Sequence, residues 1–262
     1  MPGKSFEAAA IAASAFGPAD VLRNAGFGDV FGAFGRSIVL SPRQQGVTDE
    51  RFLRAWESDV TAAFGAVALN DELVTRLGTL DPLDLAGVAG FLVSPFGVRV
   101  AALEHAAQTV PTDQQIAVLA KGQTLYWRIS DTRRVQFDEL MHLSGMEVSF
   151  ALLLETLRAA AVSLHMSQRT GDLEVPWEEI DAGVTEQLSG MHDRLLEATR
   201  ATFAYTYDSL TDDELEAYLQ FLRGPSAQRF YGTATLAVGD IIRRTMLSLG
   251  RSVAARLNAV QI

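Results

Sequence analysis

Apolar residues recur along most of the chain at steps of three and four. Leu188, Met191, Leu195, Ala198 and Thr202 form one such series, and Ile242, Met246, Leu249, Val253 and Leu257 another. That spacing lays side chains along one face of an α-helix. Alternation of apolar and polar residues is nearly absent, and no Asn-Gly or Asp-Gly pair stands between β-branched runs, so the pattern carries no hairpin signal. Pro18, Pro42, Pro82, Pro111 and Pro176 mark expected helix boundaries, because proline cannot donate to the helical ladder. The pattern predicts an all-α protein.

Two stretches align without a gap. Leu80, Leu85, Phe91, Leu92, Pro95 and Arg99 of the first match Leu210, Leu215, Phe221, Leu222, Pro225 and Arg229 of the second, and Asp84 matches Glu214. In the second stretch Thr211 and Glu214 have the spacing of a capping box, with Leu210 and Leu215 at the positions of a hydrophobic staple. In the first, Asp81 takes the cap, Pro82 the first helical position and Leu80 with Leu85 the staple. Pro95 and Pro225 force the preceding Ser94 and Gly224 out of helical geometry. Each stretch therefore predicts a capped helix, a sharp break and a second helix.

A weaker correspondence lies upstream, where Val21–Gly26 resembles Leu140–Gly145 and Phe31 stands opposite Phe150. The expected organisation is an N-terminal helical segment (1–17), a first repeat (18–108), a connecting segment (109–133) and a second repeat with its C-terminal helix (134–262), the repeat proper ending near 250. The expected fold is a helical bundle of two similar units in pseudo-symmetric arrangement. Tyr126 and Trp127 in the connection are expected to pack the halves together, with Ser130 or Asp131 capping the next helix.

The stretch Leu210–Arg229 resembles the hallmark of a bacterial helical family, domain of unknown function 2059. Members show a leucine–threonine–acidic–acidic–glutamate–leucine start, then a phenylalanine and a serine–proline–x–glycine corner. Phe221, Pro225 and Arg229 match; Gly224 and Ala227 depart from the usual serine and glycine. The other stretch keeps Ser94-Pro95-Phe96-Gly97 but carries Asp81-Pro82 in place of the acidic cap. The resemblance is sharp over about twenty residues per stretch. It implies an all-helical fold, usually exported to the periplasm, with no established activity and no catalytic residue to carry over.

Composition narrows the partners. The 262 residues carry 22 Lys plus Arg against 32 Asp plus Glu, a net charge of −10. Phosphate backbones and anionic lipid heads repel such a chain, so nucleic acid is not an expected partner. The local basic grouping, Arg243 with Arg244 and Arg251 with Arg256, reads as a solvated helix face. With no cysteine, disulfides, thiolate chemistry and cysteine-held metal centres are out. The Ala-rich start carries only Lys4 and is interrupted by Glu7, so no signal peptide is visible. The periplasm is expected from the resemblance, the cytoplasm otherwise. The most apolar run, Val148–Leu164, contains Glu155 and Arg158 and reads as a buried amphipathic helix, so no transmembrane segment is expected.

No catalytic or metal site and no cofactor are expected. His105, His142, His165 and His192 show no metal-binding spacing, and Glu104 and His105, being adjacent, fall on different helix faces. Asp212, Asp213 and Glu214 are explained by capping, and Trp177-Glu178-Glu179 by a helix start. Gly28, Gly32 and Gly35 form a small-residue stripe for close helix approach. Phe16, Phe27, Phe31 and Phe34 read as core. The alternative for Phe27, Phe31 and Phe34 is a groove for an apolar ligand or partner helix. The corner residues Phe91, Pro95, Arg99, Phe221, Pro225 and Arg229 are structural or touch a partner, with the arginines expected to brace their corners on helix-end carbonyls. The expectation is a soluble, non-enzymatic accessory or interaction protein of the bacterial envelope, with a protein partner or self-association. The alternative is a carrier of a lipid or other apolar small molecule.

Overall fold

The computed structural model describes residues 16–44, 48–65, 67–146, 150, 182, 186 and 190–260. Those residues form helices and no strand, so the protein is all-α. The expectations placed on 1–15, His165, the Val148–Leu164 run and the Pro176–Glu179 helix start lie outside the described residues, as do the side chains of His192, Arg251 and Arg256. The chain divides into two compact units, each built from three separate stretches. The first takes 1–28, 74–148 and 192–235; the second takes 29–73, 149–191 and 236–262.

In the first unit, α1 (Pro18–Leu22) begins at a proline and runs into a wide turn, Arg23–Phe27. That turn closes with Gly26 at φ 86°, a left-handed conformation suited to a residue without Cβ. Two proline-started helices follow, α5 (Pro82–Leu92) and α6 (Pro95–Gln108), bent by 80° at their junction. Asp81 accepts from the Leu83 N–H at 2.8 Å, and Ser94 Oγ from the Gly97 N–H at 3.0 Å. Proline at the first position costs nothing, because that N–H has no helical partner anyway. After α7 (Gln115–Tyr126) comes α8 (Asp131–Leu143), capped by Ser130. The unit is completed by α9 (Met191–Thr206), α10 (Asp212–Arg223), and α11 (Pro225–Val260) as far as Thr235. The capping box on α10 forms as the sequence predicts: Thr211 Oγ1 accepts from Glu214 N, and Glu214 Oε2 from Thr211 N at 2.9 Å.

The core of this unit gathers Val100, Phe137, Leu140, Met141, Phe203, Tyr207, Leu215, Leu219 and Leu222, all buried. Here α1 packs on α5, and α8 packs on α10. Close approach is bought with glycine where α7 meets α9: a Cβ on Gly122 would stand 2.1 Å from the Ala201 carbonyl oxygen.

The second unit holds α2 (Val30–Gln44), α3 (Glu50–Phe64) and the start of α4 (Val67–Leu77). Ile38, Val60, Phe64, Met246 and Leu249 form its core. Of the expected glycine stripe, Gly35 alone serves helix approach, its missing Cβ standing 2.8 Å from Phe64 Cβ; the space beside Gly32 is taken by Asp29 and that beside Gly28 by Arg23. Pro42 departs from the expected boundary, since α2 continues to Gln44 with Pro42 buried inside it. The physical reason is visible one turn earlier. Proline leaves the Ile38 carbonyl without its i+4 donor, and the Trp56 indole Nε1–H donates to that oxygen at 3.0 Å. Arg243 and Arg244 are paired with Asp240, and Arg244 also with Glu72.

Among the described residues no single helix is long and apolar enough to cross a membrane; α5 and α6 reach that composition only as a bent pair.

Candidate functional site

The six corner residues all lie in the first unit, and their contacts run between the two hairpins α5–α6 and α10–α11. Arg229, early on α11, grips both oxygens of Asp84 on α5, with Ser226 Oγ donating to the same carboxylate at 2.9 Å. Arg99, early on α6, donates to Glu214 on α10 and, at 2.8 Å, to the Ser209 carbonyl. Asp84 is the sequence counterpart of Glu214, and Arg99 that of Arg229, so the acid–base partners are exchanged between hairpins. Phe91 and Phe221, also counterparts, stack on each other with centroids 3.7 Å apart and planes 7° from parallel. The arginines therefore brace the start of the opposite hairpin's first helix rather than their own corner. Asp84 is held below the usual carboxylate range by its hydrogen bonds from Arg229; Glu214 is lowered by the Thr211 N–H first and by Arg99 next.

A buried arginine fastens the turn before α10. Arg133 NH1 donates to Asp212 Oδ1 at 2.6 Å, and NH2 to the Tyr207 and Leu210 carbonyls at 2.6 and 2.8 Å. The carboxylates of Asp212 and Glu214 are thereby committed to architecture. Phe27 packs edge-on against Phe230 and beside Tyr231 in the first unit. Phe31 is buried and Phe34 packs on Phe64 in the second. All three rings are used in packing. No group of three potential metal ligands occurs among the described residues.

Two recesses open on the first unit. One, of about 280 Å³, is lined by Arg23, Asn24, Gly26, Ala101, Ala102, Glu104, His105 and Gln108. At its wall the Tyr207 and Tyr218 hydroxyls both donate to Glu104 Oε1, at 2.7 and 2.8 Å. Burial pushes the Glu104 carboxyl above its usual range, against the opposing effect of the two hydroxyls. Burial and the neighbouring carboxylate push both tyrosines well above theirs, so each stays a donor. The sequence placed Glu104 and His105 on different faces and anticipated no convergence of polar groups. The structure brings a carboxylate and two tyrosines to one point, with His105 also on the recess wall.

The other recess, of about 190 Å³, is lined by Gln123, Tyr126, Trp127, Glu197, Arg200 and Ala201. Tyr126 packs partly buried against the core of the first unit, but Trp127 does not: it is 76% exposed. Helix α7 ends at Tyr126 and the chain turns away, leaving the indole outside with its backbone carbonyl held by Arg134. Ile116, 83% exposed, lies eleven residues earlier, three helical turns back on the same face of α7.

Compared with protein-family models, curated proteins and solved structures, the chain matches none.

Proposed function

We propose that the protein acts by binding a protein partner through its surface, as an accessory or interaction module of the bacterial envelope, and not by catalysis. The observation that carries this reading is Trp127, a large aromatic left almost wholly exposed beside a shallow recess and in line with exposed Ile116. Tryptophan is the side chain most enriched among the residues that dominate interface energies, and a recess beside it is the usual seat of a partner's anchor. Placement in the periplasm rests on the resemblance of Leu210–Arg229 to an exported family.

The same reading takes the two hairpins as one duplicated motif about a pseudo-two-fold axis. Exchanged partners and a self-stacking pair of counterparts are what an isologous arrangement requires. Gly26 and Gly145, counterparts in the weaker correspondence, are also the two residues with positive φ among those described.

The test is a photo-crosslinking amino acid at position 127, with the same probe at exposed Gln220 as control, in the source cell. The expected result is a discrete adduct at 127 that the control lacks, and loss of co-purification in Trp127→Ala at unchanged melting temperature. Equal adducts at both positions, or undiminished capture by W127A, would refute it.

A further inference from the structure

The recess at Glu104 is independent of the Trp127 face. Glu104 Oε1 is occupied by two tyrosine hydroxyls, whereas Oε2 has no partner among the described residues and is not among the buried unpartnered atoms. It is an acceptor open to the recess. Asn24, His105 and Gln108, which line the same recess, make no side-chain hydrogen bond to described residues, and among those residues Arg23 holds only an exposed pair with Asp20 at 3.5 Å. Gly26 helps keep the space clear, since a Cβ there would come within 3.4 Å of the Gln108 amide and strain a left-handed backbone.

Comparison of the hairpins argues that this chemistry is not needed for folding. Continuing the gap-free register along α6 and α11 sets Glu104 opposite Ala234, which is fully buried. The same register sets Tyr207 and Tyr218 opposite Leu77 and Val88, both fully buried. Upstream, Arg23 and Asn24 correspond to His142 and Leu143. Where one set of counterpart positions (Ala234, Leu77 and Val88) is apolar and buried, the other (Glu104, Tyr207 and Tyr218) assembles a carboxylate fixed by two hydroxyls beside a recess. A buried carboxylate costs free energy that an alanine does not, so a fold that is served by alanine at one place gains nothing by the acid at the other.

We propose that this recess binds a small zwitterion of the α-amino-acid class, its ammonium group on Glu104 Oε2 and its carboxylate toward Arg23 and His105. The volume, near the lower end of the roughly 300–1,000 Å³ typical of ligand pockets, suits a molecule of that size. A carboxylate and a guanidinium lining one recess match opposite charges on one ligand, while Asn24 and Gln108 offer both donors and acceptors between them.

Saturation-transfer NMR on the full chain tests this with the common L-amino acids at 10 mM, and with n-butylamine and butyrate as single-charge probes. At least one amino acid is expected to bind while butylamine and butyrate do not. Glu104→Gln, which keeps an acceptor for the tyrosines, should weaken that amino acid at least tenfold, and Arg23→Gln several-fold, with circular dichroism unchanged in both. Butylamine binding as tightly as the best amino acid would replace the proposal with a simple cation site. Absence of binding by every amino acid, or unaltered binding in E104Q, would overturn it. If E104Q fails to fold, R23Q alone decides: Arg23 is exposed, and undiminished binding in R23Q refutes the zwitterion.

Discussion

Replacing Arg133 by methionine keeps most of the buried stem and removes the donors, so it isolates the hydrogen bonds. The side chain is 10% exposed, and its guanidinium serves three acceptors at once. They are not of equal weight. Among the described residues the Leu210 carbonyl has no other donor, while the Tyr207 carbonyl also accepts from the Leu210 N–H at 3.0 Å. An orphaned buried carbonyl costs about 1–3 kcal/mol, and loss of one of two bonds about 0.5–1.5 kcal/mol. The guanidinium also lies 5.5 Å from the centre of the Phe137 ring, a contact of roughly 0.5–2 kcal/mol. Arg133→Met is therefore expected to cost about 2–6 kcal/mol. Asp212 is half-exposed, and removing its charge with Asp212→Asn should cost under about 1 kcal/mol, the range of exposed ion pairs. Arg133→Lys should fall between, since one ammonium cannot reach all three acceptors in the fork geometry. Urea unfolding followed by circular dichroism measures all three. A loss below about 1 kcal/mol in R133M would rule out the carbonyls as the fastening, and a D212N cost equal to that of R133M would make the ion pair the fastening instead.

Trp56→Phe keeps the ring packed on Phe52 but frees the Ile38 carbonyl that Pro42 leaves undonated; a loss of about 1–3 kcal/mol is expected in urea melts, and a neutral result would mean that water replaces the indole. Charge reversal of both corner arginines, Arg99→Glu with Arg229→Glu, should lower the melting temperature clearly, because each then faces a carboxylate of the opposite hairpin; an unchanged melting temperature would return these residues to partner recognition. Glu104 has its folded pKa raised by burial, so it binds its proton more tightly folded than unfolded, and its contribution is whole below the unfolded value and is lost as pH rises through the folded one. Wild type should therefore lose melting temperature relative to Glu104→Gln as pH climbs from about 4.5 toward neutrality, opposite in sign to the acid-side loss expected from the lowered Asp84, Glu139, Glu214 and Glu216; a flat or rising difference would contradict the assignment.

Local features were legible in the sequence because their causes are local. The caps at Asp81, Ser130 and Thr211, the box closed by Glu214 and the breaks before Pro95 and Pro225 each depend on residues within one turn. What could not be read depends on chain brought from far away. Pro42 looked like a boundary because the indole that rescues its turn comes from another helix. Trp127 looked like a packing residue, since apolar spacing does not say at which residue a helix ends and turns its side chain outward. Glu104 and the tyrosines that hold it are more than a hundred positions apart. One signal was nonetheless present: the gap-free register sets an acid at 104 against an alanine at 234, and an acid at an otherwise apolar position is what a site looks like before its partners are known.

The exchange of partners between hairpins also bears on two pairs of residues that the two stretches share, Phe91 with Phe221 and Arg99 with Arg229. Backbone caps served inside one hairpin differ freely: the first helix is capped by Asp81 in one and Thr211 in the other, and the corner residue is Ser94 in one and Gly224 in the other. Each solution satisfies its own backbone and asks nothing of the opposite hairpin. Phe91, Phe221, Arg99 and Arg229 stand otherwise, since each meets a counterpart or the partner of a counterpart. A change at Phe91 removes half of the stack it makes with Phe221, and a change at Arg229 strands the enclosed Asp84 of the other hairpin rather than anything in its own. If the hairpins are one duplicated motif, as proposed, a phenylalanine or arginine changed in one loses its partner in the other, which favours identity at those positions. A double-mutant cycle discriminates: Asp84 should couple to Arg229 and not to Arg99, although Arg99 lies on the helix next to it in sequence. Coupling of Asp84 to Arg99 instead would mean that each hairpin closes on itself, and the duplicated, exchanged arrangement would have to be abandoned.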